Sequence, residues 1–372
     1  MPTQANDALR EAMAKCDMEA LVTQSPENTA YSLGFVVPSL PLMRWRHVAH
    51  VVCADGREAV VCVDMEESTV RAAHPDARVF VWSEFGGNAF DTLARAFDEL
   101  GLDRSRIGVE MNYLAVADYR AIMAVSPNIT LVAADEMLAI VRRIKTDAEL
   151  DLLARLSRIS DIAIRTSFDS VQAGDTEMDI AAALTRSVYE QGAQDFKLMI
   201  VASGERSQLP NVGPSERVLT PGDICRVEIF SVINGYQAGV CRTAVVGEAS
   251  EDALRIYQTL AACKKQLLDV LRPGTSASEV YRIYRSRFDE LGLDPIAFVG
   301  HSIGVNLHES PYLGPHCDDL LAEGMVLGIE PLAYRTGHGF GMQIKDMVAI
   351  EADGARLLSD VTDTTDIYRI RA

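Results

Sequence analysis

A chain of 372 residues with 35 Lys and Arg against 53 Asp and Glu carries a formal charge of -18. Such a surface repels nucleic-acid phosphates and anionic lipid, so the expected partner is a small molecule or a protein, with no nucleic acid and no membrane. The 48% hydrophobic and 24% charged content is that of a globular protein, no apolar run approaches the roughly 20 residues that span a bilayer, and the length exceeds what one core usually serves, which predicts two domains.

The first run, "MPTQANDALREAMAKCDMEALV", lacks a basic segment followed by a continuous apolar stretch and does not read as a signal peptide. Seven cysteines without paired spacing fit reduced thiols, and a cytoplasmic location is expected. From Asp17 to about Val141, β-rich runs ("ALVT", "VAHVVCA", "EAVVCV", "ARVFVW", "RIGVEM") alternate with helical ones such as "AFDTLARAFDELG", which predicts a small α/β domain over residues 1–145. At "RRIKTDAELDLLARLSRISDIAI" the pattern turns into a long helix. Thr146 and Glu149 have the spacing of a capping box, and Leu152, Leu153, Leu156, Ile159 and Ile162 form its apolar stripe. Further amphipathic helices ("MDIAAALTRSVYEQG", "EDALRIYQTLAACKKQLLDVL", "SASEVYRIYRSRFDELG") alternate with strand pairs, so residues 146–372 read as an α+β domain.

Within this second part, Asn234-Gly235 divides two β-rich runs in "GDICRVEIFSVINGYQAGVCRTAVVG", the strongest hairpin signal a sequence offers. Alternation puts Arg226, Glu228 and Phe230 on one face of the first strand, and Gly239, Cys241 and Thr243 on one face of the second. Two later runs, "GMVLGIEPLAY" and "GMQIKDMVAIEADG", read as strands interrupted by Glu330 and Lys345. For one such residue a solvated face is the ordinary reading. Between them and the hairpin lies "HSIGVNLHE", with His301 and His308 around a glycine.

The pieces "IKTDAELDLL", "TPGDI", "NGYQAGVCRTAVVG", "GHSIGVNLHESPYL", "EGMVLGIEPLAY" and "IKDMVAI", in this order, resemble the pita-bread family of methionine aminopeptidases, prolidases, aminopeptidase P and creatinases. The resemblance covers nearly the whole chain. It implies a curved antiparallel sheet covered by helices, preceded by a smaller creatinase-type α/β domain. The family's peptidases bind two metal ions through an Asp on each hairpin strand, a His, and a Glu on each of two later strands. Those positions hold Glu228, Gly239, His301, Glu330 and Lys345. Gly239 supplies no ligand and Lys345 supplies a cation, so the expectation is no metal and no cofactor.

The creatinases and ectoine hydrolases of the family work without metal, and "VEIFSVINGYQA" is similar to the ectoine-hydrolase hairpin in holding a glutamate at Glu228. This implies a metal-independent hydrolase of a C–N bond in a small amide, cyclic amidine or guanidino compound. The alternatives are an Xaa-Pro-type metallopeptidase with an altered metal site, or an inactive binding member. Two departures stand against creatine itself: Asn211 holds the place of the proton-shuttling histidine, and Tyr312 that of a substrate-binding arginine. The catalytic candidates are therefore His301, with an imidazole pKa near neutrality, His308, Glu330, Glu228 and Cys241. Lys345 is expected to lower the Cys241 thiol, against the ordinary reading of a free cysteine as a small buried hydrophobe. Arg46, Asn211, Tyr312 and Lys345 are the substrate-binding candidates. Arg46 matches a creatinase arginine that reaches the neighbouring subunit's pocket, which implies a homodimer with the site near the subunit boundary; its ordinary reading is a surface salt bridge.

Overall fold

The computed structural model describes residues 2–293 and 296–372. The chain forms two compact units, Met1–Arg142 and Arg143–Ala372. In the first, strands β1 (Ala20–Thr23), β2 (Ala49–Cys53), β3 (Glu58–Val63), β4 (Arg78–Trp82), β5 (Arg106–Val109) and β6 (Thr130–Ala133) form one sheet in the order β4-β3-β2-β1-β5-β6. The pairs β1–β5, β5–β6 and β3–β4 are parallel and the other two antiparallel. Helices α1 (Pro2–Lys15), α2 (Pro26–Leu33), α3 (Glu67–Ala73), α4 (Ala89–Glu99), α5 (Val116–Val125) and α6 (Asp135–Arg143) accompany it. The central strands β1 to β3 are buried almost throughout, which is why they read as continuous Val- and Ala-rich runs rather than as alternating ones. Trp82, Leu93 and Phe97 anchor the core on one side.

The second unit opens on α7 (Asp147–Ser170). The Thr146 hydroxyl accepts from the Glu149 backbone N–H, and the Glu149 carboxylate accepts from the Thr146 N–H at 2.8 Å. This is the expected capping box, an arrangement worth about 1 kcal/mol. The buried stripe runs through Leu153, Leu156, Ile159, Ala163, Ile164 and Phe168, while Leu152 and Ile162 are only half-buried. The stripe is turned from the expected one because buried serines share it. The Ser160 hydroxyl donates to the Ala238 carbonyl at 3.0 Å, and so small a side chain lets the helix lie close on the sheet.

That sheet has the order β17-β9-β8-β7, from β7 (Asp195–Ser203), β8 (Ile224–Ile233), β9 (Tyr236–Val246) and β17 (Tyr368–Ile370), with α8 (Glu177–Glu190) packed beside β7. Asn234 and Gly235 have φ of 51° and 84°, the left-handed pair that a two-residue hairpin turn requires. The register opposes Glu228 to Cys241 and Phe230 to Gly239. Helices α9 (Glu251–Val270) and α10 (Ala277–Leu291) pack together over a second sheet of order β11-β10-β12-β15-β16. Its strands are β10 (Gly300–Ser302), β11 (Glu309–Tyr312), β12 (Val326–Ile329), β15 (Asp346–Glu351) and β16 (Gly354–Leu357).

The two late strand runs are each broken. "GMVLGIEPLAY" splits into β12 and β13 (Leu332–Ala333), and "GMQIKDMVAIEADG" into β14 (Met342–Gln343) and β15. Glu330 and Lys345 lie in the breaks. Pro331 has no N–H to continue a ladder, and β13 and β14 pair with each other in a ribbon of their own. The charged residues thus stand where the chain passes from one ladder to the next. The Lys345 backbone also bridges to Cys241 of the hairpin sheet, with N–H to carbonyl distances of 3.1 and 3.2 Å.

Candidate active site

Lys345 is the centre of the site. Its side chain is 2% exposed, and its ammonium lies 3.1 Å from Glu228 Oε1, 3.1 Å from Glu330 Oε2 and 3.3 Å from His301 Nε2. An ammonium has three donors and no acceptor, so the three contacts saturate it. The Phe230 ring centroid is 4.7 Å from the same nitrogen, a favourable placement for a buried cation. Burial pulls the Lys345 pKa down, but the Glu330 and Glu228 carboxylates raise it further, and the net shift is upward. The lysine therefore stays charged. One cation serves two carboxylates, and Glu330 shows the shortfall: burial, with the Glu228 charge beside it, leaves its pKa raised despite Lys345 and Gln343.

His301 Nδ1 lies 2.8 Å from the Ser302 carbonyl. A carbonyl only accepts, so Nδ1 carries the proton and the bare Nε2 faces the lysine. Burial, then Lys345, then His308 depress its pKa well below the usual imidazole value. The near-neutral pKa expected for His301 is thus corrected: a fully buried ring facing an ammonium stays neutral, and its one proton is engaged on Nδ1 by the Ser302 carbonyl. The His308 ring stacks on His301 with centroids 3.7 Å apart, and burial with Lys345 lowers its pKa too. Phe298 and Tyr312 complete an aromatic cluster around the pair, with centroids 5.8 to 6.3 Å from the histidines.

Cys241 is fully buried, and burial, then Glu228, push its thiol well above the usual value. The expected lowering by Lys345 is overturned because desolvation of a thiolate outweighs one neighbouring cation. Arg46 donates Nε and Nη2 to the Glu84 carboxylate at 2.9 and 3.1 Å within the first unit, so its guanidinium is engaged in a two-pronged ion pair. Asn211 is exposed and, among the described residues, takes no part in the hydrogen bonds of this site. Tyr312 is 40% exposed at the edge of the aromatic cluster.

Two residues of the site are absent from the sequence-based candidates. Gln343 donates to Glu330 Oε2 at 3.1 Å and accepts from Arg226 Nη1 at 3.1 Å. Arg226 is fully buried, reaches the Ser207 and Pro210 carbonyls and lies over the Tyr334 ring. Strand parity was the available signal, since Arg226 and Gln343 each stand two residues from a candidate on the same run.

Residues 6–144 match the creatinase/prolidase N-terminal domain, and residues 151–352, more than half of the chain, match metallopeptidase family M24. The chain belongs to metallopeptidase family M24. M24 relatives include the Xaa-Pro dipeptidase of Pyrococcus furiosus, 31% identical over 60% of this chain and 65% of that protein. The probable dipeptidase PepE of Mycobacterium tuberculosis is 29% identical over 87% of this chain and 86% of its own. Among solved structures, dipeptidase PepE from Mycobacterium ulcerans superposes with a TM-score of 0.83 at 25% identity, covering 100% of this chain and 98% of that one. The architecture is the pita-bread fold with a creatinase-type N-terminal domain, and the M24 reaction class is hydrolysis of a carbon–nitrogen bond.

These relatives correct the functional expectation. The reading as a creatinase-like or ectoine-hydrolase-like enzyme working without metal on an amide, cyclic amidine or guanidino compound is overturned, because the matching family is one of metallopeptidases and the relatives carry the names dipeptidase and Xaa-Pro dipeptidase. They back the Xaa-Pro-type alternative.

The metal pair that M24 membership implies does not fit this chain's donors. A Cβ added at Gly239 would lie 2.2 Å from Phe230 Cε1, so the ring fills the place a ligand on that strand would take. The Lys345 ammonium holds the position between Glu228 and Glu330. Among the described residues no group of three or more His, Cys, Asp or Glu is arranged to hold a metal ion. The packing has a direct test. Gly239→Ala should destabilise by about 1–3 kcal/mol, the usual penalty of overpacking, and trimming the ring with Phe230→Leu should restore part of it. Thermal melts equal to the parent's for Gly239→Ala would show that the ring does not lie there.

Proposed function

We propose that the protein hydrolyses Xaa-Pro dipeptides at an M24 site reworked around Lys345. The observation that carries this is the convergence of Glu228, His301, His308 and Glu330 about one buried position, in a chain related over most of its length to dipeptidases. Hydrolysis adds water to the amide carbonyl, breaks the C–N bond and delivers a proton to the departing nitrogen. The Glu330 carboxylate, with its pKa raised by burial, is suited to take the proton of the attacking water and pass it on. Lys345 supplies positive charge for the carbonyl oxygen, and its longest contact, 3.3 Å to His301, is the one a substrate oxygen can replace. His308 is the more exposed of the two rings and is placed to hydrogen-bond the addition product. A cytoplasmic homodimer accompanies this reading, and Arg46 would then leave Glu84 to meet a substrate carboxylate.

The test is release of free proline from a panel of Xaa-Pro dipeptides, assayed with and without added manganese or cobalt against longer peptides and Pro-Xaa controls. Turnover confined to Xaa-Pro dipeptides is expected, and His308→Ala should lower kcat about 100-fold while the fold is kept, the typical worth of one hydrogen bond to the addition product. No proline release under any of these conditions, where a prolidase assayed alongside is active, would sink the proposal. Sedimentation tests the dimer.

A further inference from the structure

The stacked histidines sit at the two ends of a loop, and one buried lysine outside the site reaches the neighbours of both. Lys145 lies immediately before the N-cap of α7, its backbone N–H bonded to the Gly324 carbonyl at 2.9 Å. Its side chain is 1% exposed. The ammonium lies 3.2 Å from Glu309 Oε2 and 3.3 Å from Ser302 Oγ. Ser302 follows His301, and Glu309 follows His308. The Ser302 hydroxyl donates onward to the Val326 carbonyl of β12 at 3.0 Å, so its oxygen lone pairs are left to face the lysine.

The loop between the histidines closes on the same carboxylate. The Asn306 N–H donates to Glu309 Oε1 at 3.2 Å. A Cβ at Gly304 would lie 3.0 Å from Glu309 Oε2, so the bare glycine lets the loop backbone lie against the ion pair. From the far side, Gln237 of the hairpin sheet donates its backbone N–H to the Gly304 carbonyl at 2.9 Å and its Nε2 to the Val305 carbonyl at 2.7 Å. The backbone on both sides of the loop is therefore tied at hydrogen-bond distance, and the 3.7 Å stacking of the rings follows from where their neighbours are held.

We infer that the buried Lys145–Glu309 ion pair is a positioning device of the two site histidines: it locks the Ser302–Glu309 pair of the β10–β11 ladder, where the register shifts next to His301, and so fixes His308 against His301. Lys145 touches neither ring. It acts through the residues that follow them, and its removal displaces His308 without altering any group of the Lys345 cluster. A displacement of about 1 Å at a reacting group is enough to cost on the order of 100-fold in rate.

The experiment compares Lys145→Met and Lys145→Arg in the full chain. One arm reads histidine ring resonances of the free protein by NMR, where stacked rings shift each other's protons; this arm needs no substrate. The other arm, which rests on the proposed dipeptide hydrolysis, reads kcat and KM. Lys145→Met is expected to lose the mutual ring shifts and to lower kcat about 10- to 100-fold with a smaller change in KM, while Lys145→Arg, keeping a buried donor cation, retains both. Unchanged ring shifts in Lys145→Met would overturn the inference whatever happens to activity, and so would failure of Lys145→Arg to preserve them. If Lys145→Met does not fold, Glu309→Gln keeps the shape but removes the partner charge: lost ring shifts in that variant would uphold the clamp, and unchanged ones would overturn it. Lost ring shifts in a protein whose parent cleaves no dipeptide would uphold the clamp and reject the dipeptidase reading.

Discussion

Lys345→Met should lower stability by about 3–5 kcal/mol at neutral pH, the usual consequence of removing one partner from a buried ion pair. Methionine nearly matches the lysine stem in volume, so the packing against Phe230 survives and the loss is electrostatic. Without the ammonium, the Glu228 and Glu330 carboxylates remain buried with no cation among their contacts, and Glu330, already raised by burial, loses the neighbour that lowers it. The sign of the pH effect follows. A carboxyl whose folded pKa is raised above its unfolded value favours the folded state while it is protonated, and that advantage disappears as pH rises through the folded value. The variant should therefore recover stability in mild acid and lose it towards neutrality. Thermal melts across this range decide the matter: a variant that melts with the parent at every pH would show that Lys345 does not balance the carboxylates. Lys345→Glu would crowd a third carboxylate into the same position, and the Phe230 ring over Gly239 would still bar a ligand from the hairpin's second strand.

Arg242→Met is the second large effect, again about 3–5 kcal/mol or more, or outright failure to fold. Arg242 Nε and Nη2 donate to the two oxygens of Asp161 at 3.0 and 2.9 Å, and Nη2 also to Asp346 Oδ1 at 2.8 Å. Nη1 donates to the carbonyls of Lys345 and Cys241 at 2.8 and 3.0 Å. One guanidinium thereby joins α7, β9 and the start of β15, all without solvent. Arg242→Lys should rescue little, because a single ammonium cannot reproduce the planar fork. Asp346 adds a pH signature in the parent. Burial raises its pKa, but Arg242 and Lys264 lower it more, and the net value lies below the ordinary one. Its stabilising contribution is present above the unfolded pKa and is lost as pH falls through the folded one. Acid denaturation should accordingly begin at higher pH in Arg242→Met than in the parent. A variant with the parent's melting curve and acid midpoint would show that the cluster does not hold these elements together.

Local chemistry made much of the fold legible. Thr146 and Glu149 predict a helix start because the two side chains satisfy backbone donors only three residues away, and Asn234-Gly235 predicts the hairpin because few other pairs tolerate its left-handed geometry. Once the turn is fixed, strand parity follows, and Glu228 and Phe230 indeed both approach Lys345. Strand parity does not separate roles. It put Cys241 on the face of Gly239 without showing that burial raises its thiol, and it put Arg226 on the face of Glu228 without its partner Gln343, which it meets across 117 positions of chain.

The sequence by itself determined the start of α7, the hairpin and its strand parity, because each rests on interactions within a few residues, while the positions matched to a metal-ligand set were read through the resemblance. The tertiary structure decided everything that depends on convergence. Glu228, His301, Glu330 and Lys345 come from four separate segments, and only their meeting saturates one ammonium, fixes the His301 tautomer and leaves Glu330 short of charge. Pairwise electrostatics depends on distances and burial that no local pattern encodes, so the sequence names the charges while the fold alone sets their protonation states.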